Sequence, residues 1–243
     1  MGFEWVAYRG NAEGVIENSV GAVLASSAAG ADVIELDVQV SKDEVAYLFH
    51  DDNIDGRAVA DLTYAQILEL VSSEQVPRLE TVLNLDDFNG VYLLDLKFSD
   101  ISDLEILART IRTASFPAEQ IAIQSGDIEV LTRGNEILPK CQYFYLERLS
   151  RKLPFFTAPN PEKILEKVSA LNIQGISIKG RRFVDSNYVN SLKSSGLKIY
   201  VWTINDVDRA KHYIRMGVDG LITDSVMEMR AMVTKLSLTS RAR

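Results

Sequence analysis

Apolar and polar positions alternate along the chain in a regular way. Nine short runs rich in β-branched and aromatic residues are separated by longer segments in which apolar residues recur at helical spacing. Strands that alternate with helices are typical of βα units and a parallel sheet. Strands are predicted at 5–8, 32–38, 45–50, 91–96, 121–124, 142–146, 175–178, 198–204 and 220–223. Helices are predicted at 17–29, 102–115, 127–137, 160–171, 184–195, 205–216 and 225–236.

One of the nine runs does not fit a parallel sheet. The tetrapeptide 41–44 joins the second run directly to the third, whereas parallel neighbours need a crossover of about a dozen residues. The third run is therefore predicted to be the returning arm of a β-hairpin, at 45–50. The other eight predict an α/β fold, a (β/α)8 TIM barrel, and we expect residues 1–243 to form one such domain. A short insertion at 52–89, with a helical piece at 65–71, is expected beside the mouth.

The composition narrows the functional classes. Hydrophobic residues make up 47% of the chain and charged residues 25%, which is typical of a globular domain. The formal net charge of −8 argues against a nucleic-acid partner or an anionic membrane, since both favour a basic protein. No run predicts a membrane span or a leader, so we expect a cytoplasmic protein without stable membrane insertion. The single cysteine, Cys141, excludes an intrachain disulfide and is predicted to be buried.

Carboxylates interrupt two of the predicted strands near their C-terminal ends, where (β/α)8 barrels carry their functional groups. Glu35 and Asp37 are two residues apart, so both side chains leave the same face of the strand. Two acids in an apolar run are costly unless they are paired or bind a cation. Asp95 lies near the end of another strand. The three carboxylates together predict oxygen ligands suited to Mg²⁺ or Ca²⁺.

Two cationic residues and one histidine accompany these acids. Arg9 follows the first strand, and Lys97 follows Asp95 at the same two-residue spacing. Both supply the positive charge that a phosphate group requires. A two-residue hairpin loop at 42–43 would set His50 opposite Glu35 on the same face. The combination predicts a phosphodiester site with a metal as Lewis acid and His50 as proton carrier.

A structural interpretation competes for individual residues. An isolated acid or lysine at a strand end is more often part of a salt bridge at the rim than a ligand. The pair Glu35 and Asp37 alone does not separate these interpretations, but its combination with His50 and Arg9 favours function. His212 lies within a predicted helix, and we interpret it as a surface or packing residue.

The motifs that contain these residues resemble those of the glycerophosphodiester phosphodiesterase family. That family typically shows His-Arg-Gly, Glu-Asn-Thr, Glu-Leu-Asp-Val and His-Asp in this order, and this chain has AYRG, IENS, ELDV and FHDD. Further along, VPRLETVL, DLK, IQSGD, VWTIN and GVDGLITD continue the resemblance, which covers nearly the whole chain.

The resemblance implies a barrel that hydrolyses a small-molecule glycerophosphodiester to glycerol 3-phosphate and an alcohol. A divalent cation, Mg²⁺ or Ca²⁺, is implied as the cofactor. The implied positions are metal ligands at Glu35, Asp37 and Asp95, phosphate contacts and catalytic groups at Arg9 and Lys97, acid/base positions at His50 and Tyr8, and substrate-pocket positions at Glu17 and Trp202.

Three features depart from the family pattern. Tyr8 stands where the family has its first histidine, Asp95 stands where glutamate is usual, and the loop after His50 lacks the usual Thr/Asn/Gly-rich segment. A phenol with a pKa of about 10 is protonated at neutral pH, so Tyr8 can donate a proton but is a poor base. Loss of one acid/base group costs roughly 10²- to 10⁴-fold in rate. Asp95 is one methylene shorter than glutamate, which suits the flexible coordination of Ca²⁺ better than Mg²⁺.

Three functions remain open at this point. The first is a divergent phosphodiesterase whose turnover is altered by Tyr8. The second is a catalytically idle relative that binds a phosphate-containing ligand through Arg9 and Lys97. The third is an unrelated barrel enzyme, for example an aldolase with a Schiff base on Lys97 or Lys179, because a fold alone does not fix a function.

Overall fold

The secondary structure follows the predicted order of strands and helices. The computed structural model describes residues 2–10, 14–147, 160–181 and 184–241. Its strands are β1 (Glu4–Ala7), β2 (Val33–Val40), β3 (Ala46–Leu48), β4 (Asn53–Ile54), β5 (Arg57–Ala58), β6 (Val91–Leu96), β7 (Ile121–Ser125), β8 (Gln142–Glu147), β9 (Gly175–Lys179), β10 (Lys198–Trp202) and β11 (Gly220–Thr223). Its α-helices are α1 (Val20–Ala28), α2 (Tyr64–Leu70), α3 (Leu79–Leu83), α4 (Ile101–Thr113), α5 (Ile128–Ile137), α6 (Pro161–Val168), α7 (Ser186–Lys193), α8 (Val207–Arg215) and α9 (Val226–Arg241).

Eight strands form a closed parallel barrel. The hydrogen-bonded ladder runs from β2 through β6, β7, β8, β9, β10 and β11 to β1. β1 also pairs with β2, with Val6 opposite Val33, and this pairing closes the barrel. β3 is antiparallel to β2. The predicted (β/α)8 fold and the predicted hairpin arm are both confirmed.

The predicted register of the hairpin is wrong by one residue. Val38 pairs with Leu48, so His50 is not opposite Glu35. The cause is a three-residue loop: Glu44 adopts a left-handed φ of 63° and donates its N–H to the Ser41 carbonyl over 2.9 Å. β3 ends at Leu48, so a continuous ladder does not fix the position of His50.

Capping side chains explain where the helices begin. Each cap accepts a hydrogen bond from a backbone N–H two or three residues further on, which satisfies a donor that the first turn leaves free. Because of its cap, α1 begins at Val20 rather than at the predicted 17. The capping residues are Ser19, Thr63, Asp100, Asp127, Asn160, Asp185 and Asp206.

The barrel interior below the strand ends is filled with side chains. Phe144 and Tyr200 stack there with their ring centroids 4.8 Å apart. Gly175 leaves them room, because a Cβ at this position would lie 2.3 Å from Cε1 of Phe144. The inner layer consists of Val6, Val33, Leu93, Ala122, Phe144, Tyr200 and Ile222. This apolar layer lies below the polar side chains at the carboxyl ends of the strands.

The insertion at 52–89 packs against the hairpin. Its predicted helical piece is α2, and the short helix α3 was not predicted. The Asp43 carboxylate of the hairpin loop accepts the N–H of Tyr64 over 2.7 Å and ties the first turn of α2 to the loop. Tyr47 of β3 is fully buried beneath these elements. Among the described helices, none combines the length and the apolar character needed to cross a bilayer.

Candidate active site

The three predicted carboxylates meet at the carboxyl ends of two neighbouring strands. Asp37 of β2 and Asp95 of β6 are partners in the parallel register, and Glu35 lies two residues before Asp37 on the same face. All three residues are at least 95% buried. One oxygen atom from each lies within 4.8 Å of one from each of the others, a spacing that can hold a metal ion.

Arg9 and Lys97 supply the positive charge beside these acids. The Lys97 ammonium lies between the two register partners, 2.7 Å from Oδ1 of Asp37 and in contact with Asp95. Nε of Arg9 is 3.2 Å from Oδ2 of Asp37. Two cations therefore face three carboxylates, so the cluster carries one uncompensated negative charge when every group is ionised.

Burial and crowding of like charges perturb the pKa values of this cluster. Burial raises the pKa of the Glu35 carboxyl well above its ordinary value, and the charges of Asp37 and Asp95 raise it further. Burial alone would lower the pKa of Lys97, but Asp95 and Asp37 outweigh that effect and hold the pKa above its ordinary value. Lys97 is consequently a protonated cation and a poor Schiff-base nucleophile.

A tight turn after β1 places Arg9. Arg9 and Gly10 both have left-handed φ angles, 54° and 59°. The backbone N–H of Arg9 donates to Oε2 of Glu35 over 2.7 Å, which anchors the turn to the carboxylate cluster. Its guanidinium donates to the Glu17 carboxylate over 2.8 Å. Glu17 is half exposed and orients Arg9.

Asn18 is a site residue that the sequence reasoning missed. Its amide group donates to Oδ2 of Asp37 over 2.8 Å and accepts the backbone N–H of Asp37 over 2.9 Å. Asn18 is buried and has a left-handed φ of 55°, a conformation that asparagine tolerates better than most residues. The Asn of the IENS motif was the signal that could have identified it.

Replacement of Asn18 by alanine should destabilise the protein and disorder the site. Asn18→Ala removes the hydrogen-bond acceptor of the Asp37 N–H and one of the donors to Oδ2 of Asp37, and it puts alanine into a left-handed conformation. We expect the free energy of unfolding to fall by about 2–4 kcal/mol in a urea titration. Asn89→Ala, at an exposed position, is the control and should change it by less than about 0.5 kcal/mol. Equal effects of the two substitutions would contradict the bridging role of Asn18.

His50 lies at the same cavity in spite of the shifted register. The cavity has a volume of about 630 Å³. Nδ1 of His50 is 2.7 Å from Oδ1 of Asp51. A carboxylate can only accept, so Asp51 selects the tautomer with the proton on Nδ1 and leaves Nε2 as the basic nitrogen. The lining residues are Tyr8, Glu35, His50, Asp51, Asp52, Asn53, Asp95, Lys97, Gln124, Leu146, Trp202 and Ile222.

Tyr8 lines the cavity beside Arg9. Its hydroxyl oxygen accepts a hydrogen bond from Nη2 of Arg9 over 2.7 Å, so its own proton is free for another acceptor. Burial raises the pKa of the Tyr8 phenol; Arg9 opposes this shift, and the charges of Glu35 and Asp37 add to it. The phenol is therefore protonated at neutral pH and acts as a donor.

Trp202 and Lys179 lie on the far side of the mouth. Trp202 lines the cavity, and its indole N–H is buried without a hydrogen-bond partner among the described residues. The Lys179 ammonium lies 5.1 Å from the centroid of the Trp202 ring. His212 is exposed on α8, in agreement with its interpretation as a surface residue.

The fold and the site define a class of protein: a (β/α)8 barrel with a buried carboxylate triad and two cations at the carboxyl ends of its strands. A model of the glycerophosphoryl diester phosphodiesterase family matches residues 8–228. The chain belongs to this family of phosphoric diester hydrolases. The unrelated-aldolase hypothesis for Lys97 or Lys179 is therefore wrong.

Individual relatives agree with this assignment. YhdW of Bacillus subtilis (strain 168) is 28% identical over 235 residues, covering 90% of this chain and 93% of the relative. The glycerophosphodiester phosphodiesterase of Caldanaerobacter subterraneus subsp. tengcongensis is 26% identical over 249 residues, covering 95% and 97%. The structure of an Oleispira antarctica phosphodiesterase in complex with its product sn-glycerol-3-phosphate superposes with a TM-score of 0.81, at 19% identity, and covers 95% of this chain and 96% of that one. At that identity the superposition shows the shared fold.

Proposed function

We propose that this protein hydrolyses glycerophosphodiesters to sn-glycerol 3-phosphate and an alcohol, with help from a divalent cation. The observation that carries the proposal is the buried triad of Glu35, Asp37 and Asp95 beside Arg9 and Lys97, at the mouth of the barrel. The names of the curated relatives and the product in the Oleispira antarctica structure support this substrate class.

The charge of the cluster fits a divalent cation and a phosphodiester together. Three carboxylates and two cationic side chains leave one negative charge, and a divalent cation turns it into one positive charge. A phosphodiester carries a single negative charge, so the formal charges of the three buried carboxylates, Arg9, Lys97, the cation and the phosphodiester sum to zero. The exposed carboxylates Glu17, Asp51 and Asp52 stand outside this sum because water screens them. Such compensation is required because uncompensated charge is costly in a buried site. Burial is the first cause of the raised pKa of Glu35, and the charges of Asp37 and Asp95, which a bound cation would offset, raise it further.

Glu35, Asp37 and Asp95 would hold the cation. When bound, it supplies Lewis-acid polarisation of the phosphoryl group. Arg9 and Lys97 would donate hydrogen bonds to the non-bridging phosphoryl oxygens, where charge accumulates during the displacement. We propose Ca²⁺ as the better fit, because the short Asp95 side chain suits flexible coordination.

His50 and Tyr8 divide the proton transfers between them. Asp51 holds the His50 ring with Nε2 as an acceptor, so His50 is the general base. His50 would take the proton of the attacking water as its oxygen bonds to phosphorus. The Tyr8 hydroxyl, with its oxygen held by Arg9, would give its proton to the alcohol oxygen as the P–O bond to that oxygen breaks, and His50 would then return its proton through solvent to Tyr8. With the proton transfers assigned in this way, the reaction requires a base only at His50, and a tyrosine at position 8 is compatible with turnover.

The remaining wall of the cavity would bind the organic part of the substrate. Leu146, Trp202 and Ile222 give this side an apolar surface, and the unpartnered indole N–H of Trp202 supplies one donor. A buried donor without a partner costs about 1–3 kcal/mol, which a substrate hydroxyl would relieve. The site thus combines a charged end for phosphate with a less polar end for the alcohol and glycerol groups.

The test is metal-dependent release of glycerol 3-phosphate together with direct cation binding. We expect turnover with Ca²⁺, Mg²⁺ or Mn²⁺ and loss of turnover in EDTA. Titration calorimetry should show that Glu35→Gln weakens cation binding by about tenfold or more, because a charged ligand is lost. Glu69→Gln, on the exposed face of α2, is the control and should bind as the wild type does. Turnover that persists in EDTA would contradict the metal site.

The second candidate is an idle relative that binds a phosphate-containing ligand without turnover. The nature of Tyr8 favours it, because a phenol with a raised pKa stays protonated and leaves His50 as the one base at the site. Calorimetry with sn-glycerol 3-phosphate separates the candidates. Tight binding by a wild type that shows no turnover with any cation would select the idle relative.

A further inference from the structure

A second cavity adjoins the active-site mouth and is rich in positive charge. We call it the basic pocket. No carboxylate lines it among the described residues, although the chain carries a formal net charge of −8. Lys179 and Arg209 belong to none of the ion pairs among the described residues, and like charges held close together repel each other, so these two cations favour an anionic ligand. The pocket is lined by Lys179, Gly180, Arg181, Arg209, His212 and Tyr213.

Contacts with neighbouring residues position Arg209 and the backbone of the basic pocket. Nη2 of Arg209 donates to the Gly180 carbonyl over 3.0 Å, and the Gly180 N–H donates to the Trp202 carbonyl over 2.7 Å. A Cβ at Gly180 would lie 2.6 Å from Cδ1 of Ile204 and 3.1 Å from Nη2 of Arg209, so the glycine leaves room for both side chains. The Tyr213 hydroxyl donates to the Arg181 carbonyl over 3.1 Å. The ion pairs of the described residues involve neither Lys179 nor Arg209.

Trp202 connects the basic pocket to the active-site cavity. Trp202 and Lys179 are partners in the register of β10 and β9, at the ends of their strands. The Lys179 ammonium lies over the indole ring, 5.1 Å from its centroid, and Trp202 itself lines the active-site cavity. A substrate whose phosphodiester contacts Arg9 and Lys97 can therefore extend across Trp202 toward the basic pocket.

We propose that the basic pocket binds a second phosphate group, carried by the alcohol part of the substrate. The protein then selects glycerophosphodiesters whose alcohol is itself phosphorylated over those whose alcohol is neutral. The inference rests on the proposed function for its substrate, but the pocket can be tested without turnover. Lys179 and Arg209 are the specificity-determining residues.

Calorimetry with saturating Ca²⁺ tests the pocket with alkanediol bisphosphates of increasing length and the matching monophosphates, which contain no phosphodiester bond and are therefore not substrates. The wild type should bind the best bisphosphate about tenfold more tightly than its monophosphate, the gain expected from one charge-assisted contact. The double variant Lys179→Gln/Arg209→Gln should reduce this ratio to about twofold. Lys140→Gln/Arg133→Gln removes the same charge from exposed ion pairs elsewhere and should keep the wild-type ratio.

Turnover distinguishes failure of the pocket from failure of the proposed function. If the wild type binds bisphosphates more tightly than monophosphates but hydrolyses no glycerophosphodiester, the pocket is supported and the proposed phosphodiesterase activity is contradicted. Hydrolysis of glycerophosphoglycerol and its phosphorylated counterpart at equal kcat/KM, with equal binding of the two probe classes, overturns the pocket. The pocket is also overturned if the double variant keeps the bisphosphate ratio but loses binding to phosphatidylglycerol vesicles, because the cations would then serve a membrane surface.

Discussion

The variant His50→Ala is expected to hydrolyse glycerophosphodiesters about 10²- to 10⁴-fold more slowly than the wild type, with the loss in kcat. The reason is that His50 is the only imidazole at the cavity, since the other histidine of the chain, His212, is exposed on α8. Arg9 and Lys97 still hold the phosphate, so KM should change little. Steady-state kinetics with saturating cation measure both constants.

Two further measurements show whether the loss concerns proton transfer. Added imidazole should restore part of the turnover of His50→Ala, because it replaces the missing base. Asp51→Asn should cost less than His50→Ala, since it removes only the group that fixes the tautomer of His50. A His50→Ala variant that keeps turnover within about threefold of the wild type would show that another group carries the proton.

The substitution Tyr8→His should raise kcat/KM at neutral pH by about 10²-fold. The phenol of Tyr8 has a raised pKa, so near neutral pH it can give up a proton but cannot take one. An imidazole can both accept and donate a proton near neutral pH. The pH profile should change in a defined direction. Because the pKa of the Tyr8 phenol is raised, its deprotonation would lower the activity of the wild type only at strongly alkaline pH, whereas the introduced imidazole should add a pH-dependent change in activity much closer to neutrality.

Tyr8→Phe is the matched control for this prediction. It keeps the ring and removes the hydroxyl that accepts from Arg9, so it should lower kcat by about tenfold or more if the phenol is the acid. A Tyr8→His variant that stays within about twofold of the wild type would contradict a role for this position in proton transfer. An inactive wild type that gains turnover through Tyr8→His would identify the protein as an idle binding relative.

Local patterns in the sequence carried the prediction of the barrel. The eight apolar runs and the helical spacing between them are local properties, and the short 41–44 connection alone distinguished β3 from the barrel strands. The register of that hairpin was not predictable in the same way. It depends on the left-handed conformation of Glu44, which an Asp-Glu pair does not signal as Asn-Gly or Asp-Gly would.

Some features of the candidate site were likewise predictable from local sequence patterns, and others were not. The two-residue spacing placed Glu35 and Asp37 on one face, and the strand ends marked Arg9, Asp95 and Lys97, because period-two geometry and the polarity of a barrel are properties of sequence. Only the tertiary structure set the Lys97 ammonium between two carboxylates and the amide of Asn18 against Asp37. It also assembled the basic pocket from β9 and α8. Apart from the contact of Lys97 with Asp95, these contacts join residues on different elements, and their distances follow from closure of the barrel, which no local pattern encodes.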